Sequence, residues 1–115
     1  MRVVVTAGGT GGHIFPALAI INKIKEQEKN STFLYIGTKD RMEKDLIPKQ
    51  NIPYVGIEMK GLDRKKIFKN IAVLKSYIKA VKIAKCELLK FKPDIVIGCG
   101  GYISAPVIYA ASTLK

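Results

Sequence analysis

The sequence predicts an α/β fold, a Rossmann-like, doubly wound parallel sheet. Apolar, β-branched runs alternate with helical patterns along the chain, and two glycine clusters each follow a run that is predicted to be a strand. Strands buried on both faces appear as continuous apolar runs, which is typical of parallel sheets. The length of 115 residues suits a single domain, residues 1–115.

Each element follows from its local pattern. Three successive valines begin the first strand, Gly37 stops the second, and Pro93 ends the longest helical pattern. That pattern fits one helix or two helices with a bend, because Lys85 interrupts its apolar stripe. The stripe recurs at the helical period at Ile67, Ile71, Leu74, Ile78, Val81, Leu88 and Leu89. The predicted elements are strands at 3–5, 32–37, 54–59 and 94–98, and helices at 16 to about 28, 38 to about 47, 65 to about 91 and from about 106.

The first glycine cluster, Gly8-Gly9-Thr10-Gly11-Gly12, lies between a strand and a helix and is followed by His13. Glycines leave backbone N–H groups uncovered, and a strand, a glycine loop and a helix N-terminus in that order favour a phosphate site. A tight turn without a ligand is the alternative. The loop has no Gly-Lys-Ser/Thr and does not match GxGxxG cleanly. An imidazole beside such a loop can accept a proton near neutral pH, which makes His13 a candidate base.

The second glycine cluster follows the last predicted strand and contains Gly100, Gly101, Tyr102 and Ser104. Carboxyl ends of parallel strands share one edge of the sheet, where such folds bind ligands. If the two strands are neighbours, we expect the two loops to face each other across one cleft.

The composition indicates an anionic partner, because the net charge is +11. The apolar runs are too short to span a bilayer, no signal peptide is visible, and two scattered cysteines, Cys86 and Cys99, favour a reducing, cytosolic compartment. Asp40, Glu43 and Asp45 are close in sequence, but capping or salt bridging explains them better than catalysis.

Residues 60–92 carry 11 basic residues against two acidic ones. A solvated helix face is one explanation. Phe68 lies among cations, and a basic amphipathic helix suits an anionic membrane surface. Nucleic acid is the weaker alternative, because interleaved aromatic residues are scarce and no helix-turn-helix pattern is present. The predicted membrane residues are Phe68, Lys69, Lys75, Lys79 and Lys82.

Three stretches resemble one family: AGGTGGHIFPALA at 7–19, GTKDRMEKDLIP at 37–48 and KPDIVIGCGGYISAP at 92–106. In this order and spacing they are similar to the N-terminal domain of glycosyltransferase family 28, the bacterial N-acetylglucosaminyltransferases that act on lipid-linked muramoyl-pentapeptide. The resemblance implies the N-terminal half of a GT-B enzyme, with a second, donor-binding domain. It implies transfer from UDP-N-acetylglucosamine to a lipid-linked muramoyl-pentapeptide diphosphate, with inversion and with no metal or cofactor, in peptidoglycan synthesis at the cytoplasmic face of the cell membrane.

The resemblance also assigns roles to individual residues. Thr10, Gly11 and Gly12 approach the donor and the diphosphates, and His13 is the base or orients the acceptor. The second loop, with Gly100, Gly101, Tyr102 and Ser104, is directed at the acceptor diphosphate, and the basic segment corresponds to the family's membrane patch.

The sequence departs from the family pattern in one respect, because the following strand with its HEQN-type end and the donor domain do not appear in the 115 residues. We expect a fragment that is inactive alone; a membrane-recruiting subunit of a two-chain transferase is the alternative. A dinucleotide-dependent dehydrogenase fits less well, since Gly37-Thr38-Lys39 replaces the acidic residue expected after the second strand.

Overall fold

The structure, a computed structural model, describes residues 1–8, 11–39, 43–58, 71–101 and 103–114, with the main chain alone described at 11–13, 43 and 71–73. The elements in chain order are β1 (Arg2–Thr6), α1 (Gly11–Gln27), β2 (Thr32–Thr38), α2 (Glu43–Leu46), a 3₁₀ turn (Pro48–Gln50), β3 (Tyr54–Ile57), α3 (Ile71–Phe91), β4 (Ile95–Gly98) and α4 (Ser104–Thr113).

The four strands form one parallel sheet in the order β3-β2-β1-β4. The chain adds strands on one side of β1 and then crosses to the other side to add β4. Thr6, the last residue of β1, pairs with Ile36 of β2 and with Gly98 of β4. In sheets of this kind the point where the strand order reverses is the usual place for a ligand. The predicted parallel α/β fold is confirmed, and that point lies between β1 and β4.

Two apolar clusters cover the two faces of the sheet. On one face α1 packs against Val3 and Val5, with Ile14, Ala17 and Ile21 buried. On the other face α3 and α4 pack against Val4 and its neighbours on β2. Alternate residues of β1 therefore enter opposite clusters, as the two-residue period of a strand requires.

Helix α1 begins earlier than the sequence predicts. It starts at Gly11 instead of Pro16, so that Gly11, Gly12 and His13 form its first turn and Pro16 lies inside it. Proline has no N–H, so it cannot donate to the carbonyl of Gly12 four residues before it. The glycines therefore supply the helix N-terminus itself. Helix α4 likewise starts two residues before Pro106, at Ser104.

Helix α3 is a single helix over its described length, and the face it buries is built from small residues. Ala80 and Ala84 are fully buried and Leu88 nearly so, whereas Leu74, Ile78 and Leu89 are about half exposed, at 58%, 48% and 57%. Of the predicted apolar stripe, Leu88 therefore packs in the core, whereas Leu74, Ile78 and Leu89 remain on the surface. The predicted start of this helix and the predicted end of β3 fall in residues 59–70, outside the described residues.

Among the described residues, no helix combines the length and the apolar character needed to cross a membrane.

Candidate functional site

The two glycine loops meet at the carboxyl ends of β1 and β4. The N–H of Cys99 donates to the carbonyl oxygen of Thr6 at 2.9 Å, which extends the strand pairing one residue past Gly98. Gly101 then adopts a left-handed conformation, with φ of 87°, and a Cβ placed on it would overlap the carbonyl oxygen of Gly8. The main chains of the two loops are therefore in direct contact.

Two helix N-termini lie at this edge of the sheet. Helix α1 begins at Gly11, five residues after β1 ends, and α4 begins at Ser104, six residues after β4 ends. The first four N–H groups of a helix have no acceptor within the helix, and the helix dipole makes this end positive. Both helix starts therefore lie at the edge where such sheets bind anions, α1 on one face of the sheet and α4 on the other.

Ser104 connects β1 to the second glycine loop. Its side chain is buried, and its hydroxyl lies 2.6 Å from the carbonyl oxygen of Gly100 and 3.1 Å from that of Thr6. Its backbone N–H donates to the carbonyl oxygen of Gly101 at 3.2 Å. One residue thus contacts three main-chain oxygens where the two loops meet.

Two tyrosines support the first loop from the side of β2 and β3. The hydroxyl of Tyr35, a fully buried residue, donates to the carbonyl oxygen of Ala7 at 3.0 Å. The ring of Tyr54 stacks on that of Tyr35 with centroids 5.8 Å apart, and its hydroxyl donates to the carbonyl oxygen of Thr38. The signal for this support was present in the sequence, because a tyrosine in an otherwise apolar buried strand needs a hydrogen-bond partner.

Cys99 lies beside the contact between the loops. It is partly buried, and this burial raises the pKa of its thiol above the ordinary value. At neutral pH Cys99 is therefore a neutral thiol and adds no negative charge to a site that would bind an anion.

The structure brings some of the predicted site residues together and leaves others outside its description. Gly11 and Gly12 lie in the first turn of α1, and Gly100, Gly101 and Ser104 lie at the end of β4 and the start of α4. The main chain of His13 is in the first turn of α1. Thr10, Tyr102 and the side chain of His13 lie outside the described parts of the chain.

The predicted membrane segment is described from α3 onward. Lys75, Lys79 and Lys82 are exposed, on the same side of α3 as the exposed Leu74 and Ile78. Residues three or four positions apart are neighbours on a helix surface, so these lysines form a row beside the apolar side chains. Phe68 and Lys69 lie outside the described residues.

A parallel sheet with two glycine loops in contact at its switch point defines a Rossmann-like domain, a class whose members commonly bind nucleotides or phosphates at that point. Comparison of the sequence with protein families makes this specific. The chain belongs to glycosyltransferase family 28, whose N-terminal domain matches residues 3–115.

Individual relatives agree with the family. "UDP-N-acetylglucosamine--N-acetylmuramyl-(pentapeptide) pyrophosphoryl-undecaprenol N-acetylglucosamine transferase" of Bacillus licheniformis is 50% identical over 114 residues, 99% of this chain and 31% of the relative. The protein of the same name from Bacillus subtilis is 46% identical over 114 residues, again 99% of this chain and 31% of the relative. The crystal structure of MurG from Acinetobacter baumannii matches with a TM-score of 0.84 and 33% identity, over 99% of this chain and 33% of that chain. The chain spans about a third of the length of these relatives, and the family resemblance in the sequence is confirmed.

Proposed function

We propose that this chain is the acceptor-side domain of an inverting glycosyltransferase of peptidoglycan synthesis. The complete enzyme moves N-acetylglucosamine from UDP-N-acetylglucosamine to a lipid-linked muramoyl-pentapeptide diphosphate at the cytoplasmic face of the cell membrane. The observation that carries the proposal is the main-chain contact between the two glycine loops, at Gly8 and Gly101. The names of the relatives, which include both sugars and a pyrophosphoryl lipid, support the substrates.

The cleft offers the chemistry that a diphosphate needs. A diphosphate has many acceptor oxygens and no donors, and the N–H groups at the starts of α1 and α4 are donors without helical partners. Gly11 and Gly12 carry no side chain that would keep the ligand away from these N–H groups. In this proposal Thr10, Gly11 and Gly12 approach the donor and the diphosphates, and the second glycine loop, with Gly100, Gly101, Tyr102 and Ser104, is directed at the acceptor diphosphate.

The reaction in this proposal is a single displacement. The acceptor hydroxyl oxygen forms a bond to the anomeric carbon of N-acetylglucosamine, and the bond from that carbon to the UDP oxygen breaks with its electron pair leaving on UDP. His13 takes the hydroxyl proton. Its position in the first turn of α1 supports this role, because this turn lies at the sheet edge where the loops meet. Most of the donor is held by residues outside the third of the enzyme that this chain represents.

Helix α3 docks the enzyme on the membrane in this proposal. Leu74, Ile78 and Leu89 are exposed apolar side chains that would lose contact with water on insertion. The neighbouring lysines, Lys75, Lys79 and Lys82 with Phe68 and Lys69 before them, would lie against anionic headgroups.

The test is a transfer assay on the full-length protein that carries this domain, with UDP-N-acetylglucosamine and the lipid-linked acceptor. Wild-type protein should transfer the sugar, and His13→Ala and His13→Gln should lower kcat by about 10²–10⁴ while the melting temperature is unchanged. Lys23→Ala, at an exposed position on α1, is the control and should keep wild-type kcat. Absence of transfer by the wild type would refute the proposed function, and unchanged kcat in both variants would remove His13 from the chemistry.

A further inference from the structure

Ser104 holds a carbonyl oxygen of the second glycine loop. A hydroxyl has one proton and donates to one acceptor at a time. Of its two neighbours, the carbonyl oxygen of Gly100 at 2.6 Å is closer than that of Thr6 at 3.1 Å. The carbonyl oxygen of Thr6 already accepts a hydrogen bond from the N–H of Cys99. We therefore assign the hydroxyl proton of Ser104 to the carbonyl oxygen of Gly100.

The orientation of this carbonyl matters to an anion. Gly100 and Gly101 both have positive φ, 114° and 87°, and Gly101 is the residue that contacts Gly8. A carbonyl oxygen carries partial negative charge, and one that faced a diphosphate would repel it. A donor that fixes the carbonyl of Gly100 toward the protein interior removes this repulsion and holds the loop in the conformation that reaches Gly8.

The burial of Ser104 favours the same role. Its exposed fraction is 7%, and its polar contacts are to the main chain. We propose that Ser104 is a positioning residue, which acts on the acceptor diphosphate through the conformation of Gly100 and Gly101. This inference rests on the proposed function, which supplies the diphosphate.

The experiment compares Ser104→Ala with Ser104→Thr in the full-length protein. Ser104→Ala removes the donor, and Ser104→Thr keeps a hydroxyl at the same position. Ser112→Ala is the matched control, because the Ser112 hydroxyl makes the same kind of bond, to the carbonyl oxygen of Tyr109 at 2.7 Å, at the exposed end of the same helix. Acceptor KM and kcat are measured for all three variants, together with hydrogen exchange at the amide of residue 104.

Ser104→Ala should raise the KM for the lipid-linked acceptor about tenfold, change kcat less than KM, and accelerate exchange of the amide at position 104. Ser112→Ala should behave as the wild type, and Ser104→Thr, which keeps the donor but adds a methyl group at a buried position, should have an acceptor KM closer to the wild type than that of Ser104→Ala. A merely structural serine would lower the melting temperature of Ser104→Ala without changing the acceptor KM, and that result would overturn the inference. If Ser104→Ala does not fold, Ser104→Cys, which has similar volume and is a weak donor, takes its place under the same criteria.

The kinetic and exchange measurements separate this inference from the proposed function. A wild type with no transfer activity refutes the proposed function and the diphosphate role of Ser104 with it. An active wild type with an unchanged acceptor KM in Ser104→Ala refutes only the role of Ser104. Unchanged amide exchange in Ser104→Ala would show that the hydroxyl does not hold the loop, whatever the activity.

Discussion

The main chain of Gly101 lies against the main chain of Gly8, so closely that a Cβ on Gly101 would overlap the carbonyl oxygen of Gly8. The residues belong to different loops, which follow the neighbouring strands β1 and β4. Gly101 also has a φ of 87°, a conformation that residues with a Cβ rarely adopt. Two independent requirements therefore select glycine at this position.

Gly101→Ala should lower the free energy of unfolding by at least about 2 kcal/mol, because it adds backbone strain to a collision with main-chain atoms. Gly98→Ala is the control. Its Cβ would lie 3.0 Å from Cγ1 of Ile108, a side chain that is 40% exposed and can rotate away, so the loss should stay below about 1 kcal/mol. Urea denaturation of both variants measures the difference, and equal losses would show that the contact between the loops is not tight.

The hydroxyl of Tyr35 is expected to stabilise the base of the first loop. Tyr35→Phe keeps the buried ring and its stacking on Tyr54 but removes the donor to the carbonyl oxygen of Ala7. The variant should lose about 1 kcal/mol of unfolding free energy, the usual cost of one buried hydrogen bond. Tyr109→Phe, at a position that is 57% exposed, should be neutral by the same urea measurement. A neutral Tyr35→Phe would mean that the Ala7 carbonyl finds another donor.

The sheet and the loops follow from sequence because their signals are local. Three successive valines specify a strand buried on both faces, and glycine clusters that follow strands specify the ligand edge. The start of α1 was predicted incorrectly for a physical reason. Pro16 is a strong marker of the first helical turn, whereas glycine is a poor helix former, so local propensity placed the start too late.

Features that depend on contacts between distant residues were not predictable. The sequence shows an apolar stripe on α3, but the side of the helix that faces the core is the one with Ala80 and Ala84, which leaves Leu74 and Ile78 exposed. The orientation of the Ser104 hydroxyl depends on the pairing of Thr6 with Gly98, and these residues are far apart in the chain. Sequence placed Ser104 at the site, and the structure shows which atoms its hydroxyl contacts.

The three exposed lysines in the row on α3 should together contribute to membrane binding. Replacing Lys75, Lys79 and Lys82 together by alanine should weaken binding to vesicles that contain phosphatidylglycerol by about 100-fold, since each lysine near an anionic surface contributes about 1 kcal/mol. A triple variant at Lys23, Lys44 and Lys49 removes the same charge from exposed positions outside α3 and is the control. Vesicle sedimentation at low and physiological salt measures the binding of both triple variants.

Two further results would contradict this docking surface. Equal weakening in both triple variants would show that net charge, and not the α3 surface, drives binding. Stronger retention of the wild type on duplex DNA than on anionic vesicles at physiological salt would favour a nucleic-acid partner.

Ile78→Ser should weaken vesicle binding with no change in charge, because Ile78 is an exposed apolar side chain beside the lysine row.

The two cysteines should differ in reactivity with pH. Burial raises the pKa of the Cys99 thiol and restricts access to it, and the thiolate is the reactive species, so Cys99 should react with iodoacetamide more slowly than the exposed Cys86 near neutral pH. A raised pKa moves ionisation of the Cys99 thiol to more alkaline pH, so the alkylation rate at Cys99 should keep increasing into the alkaline range. Mass spectrometry of the two cysteine peptides measures both rates. In urea the two alkylation rates should converge, because unfolding removes the burial of Cys99. A rate difference that persists in urea would show that the local sequence, and not the fold, causes the difference.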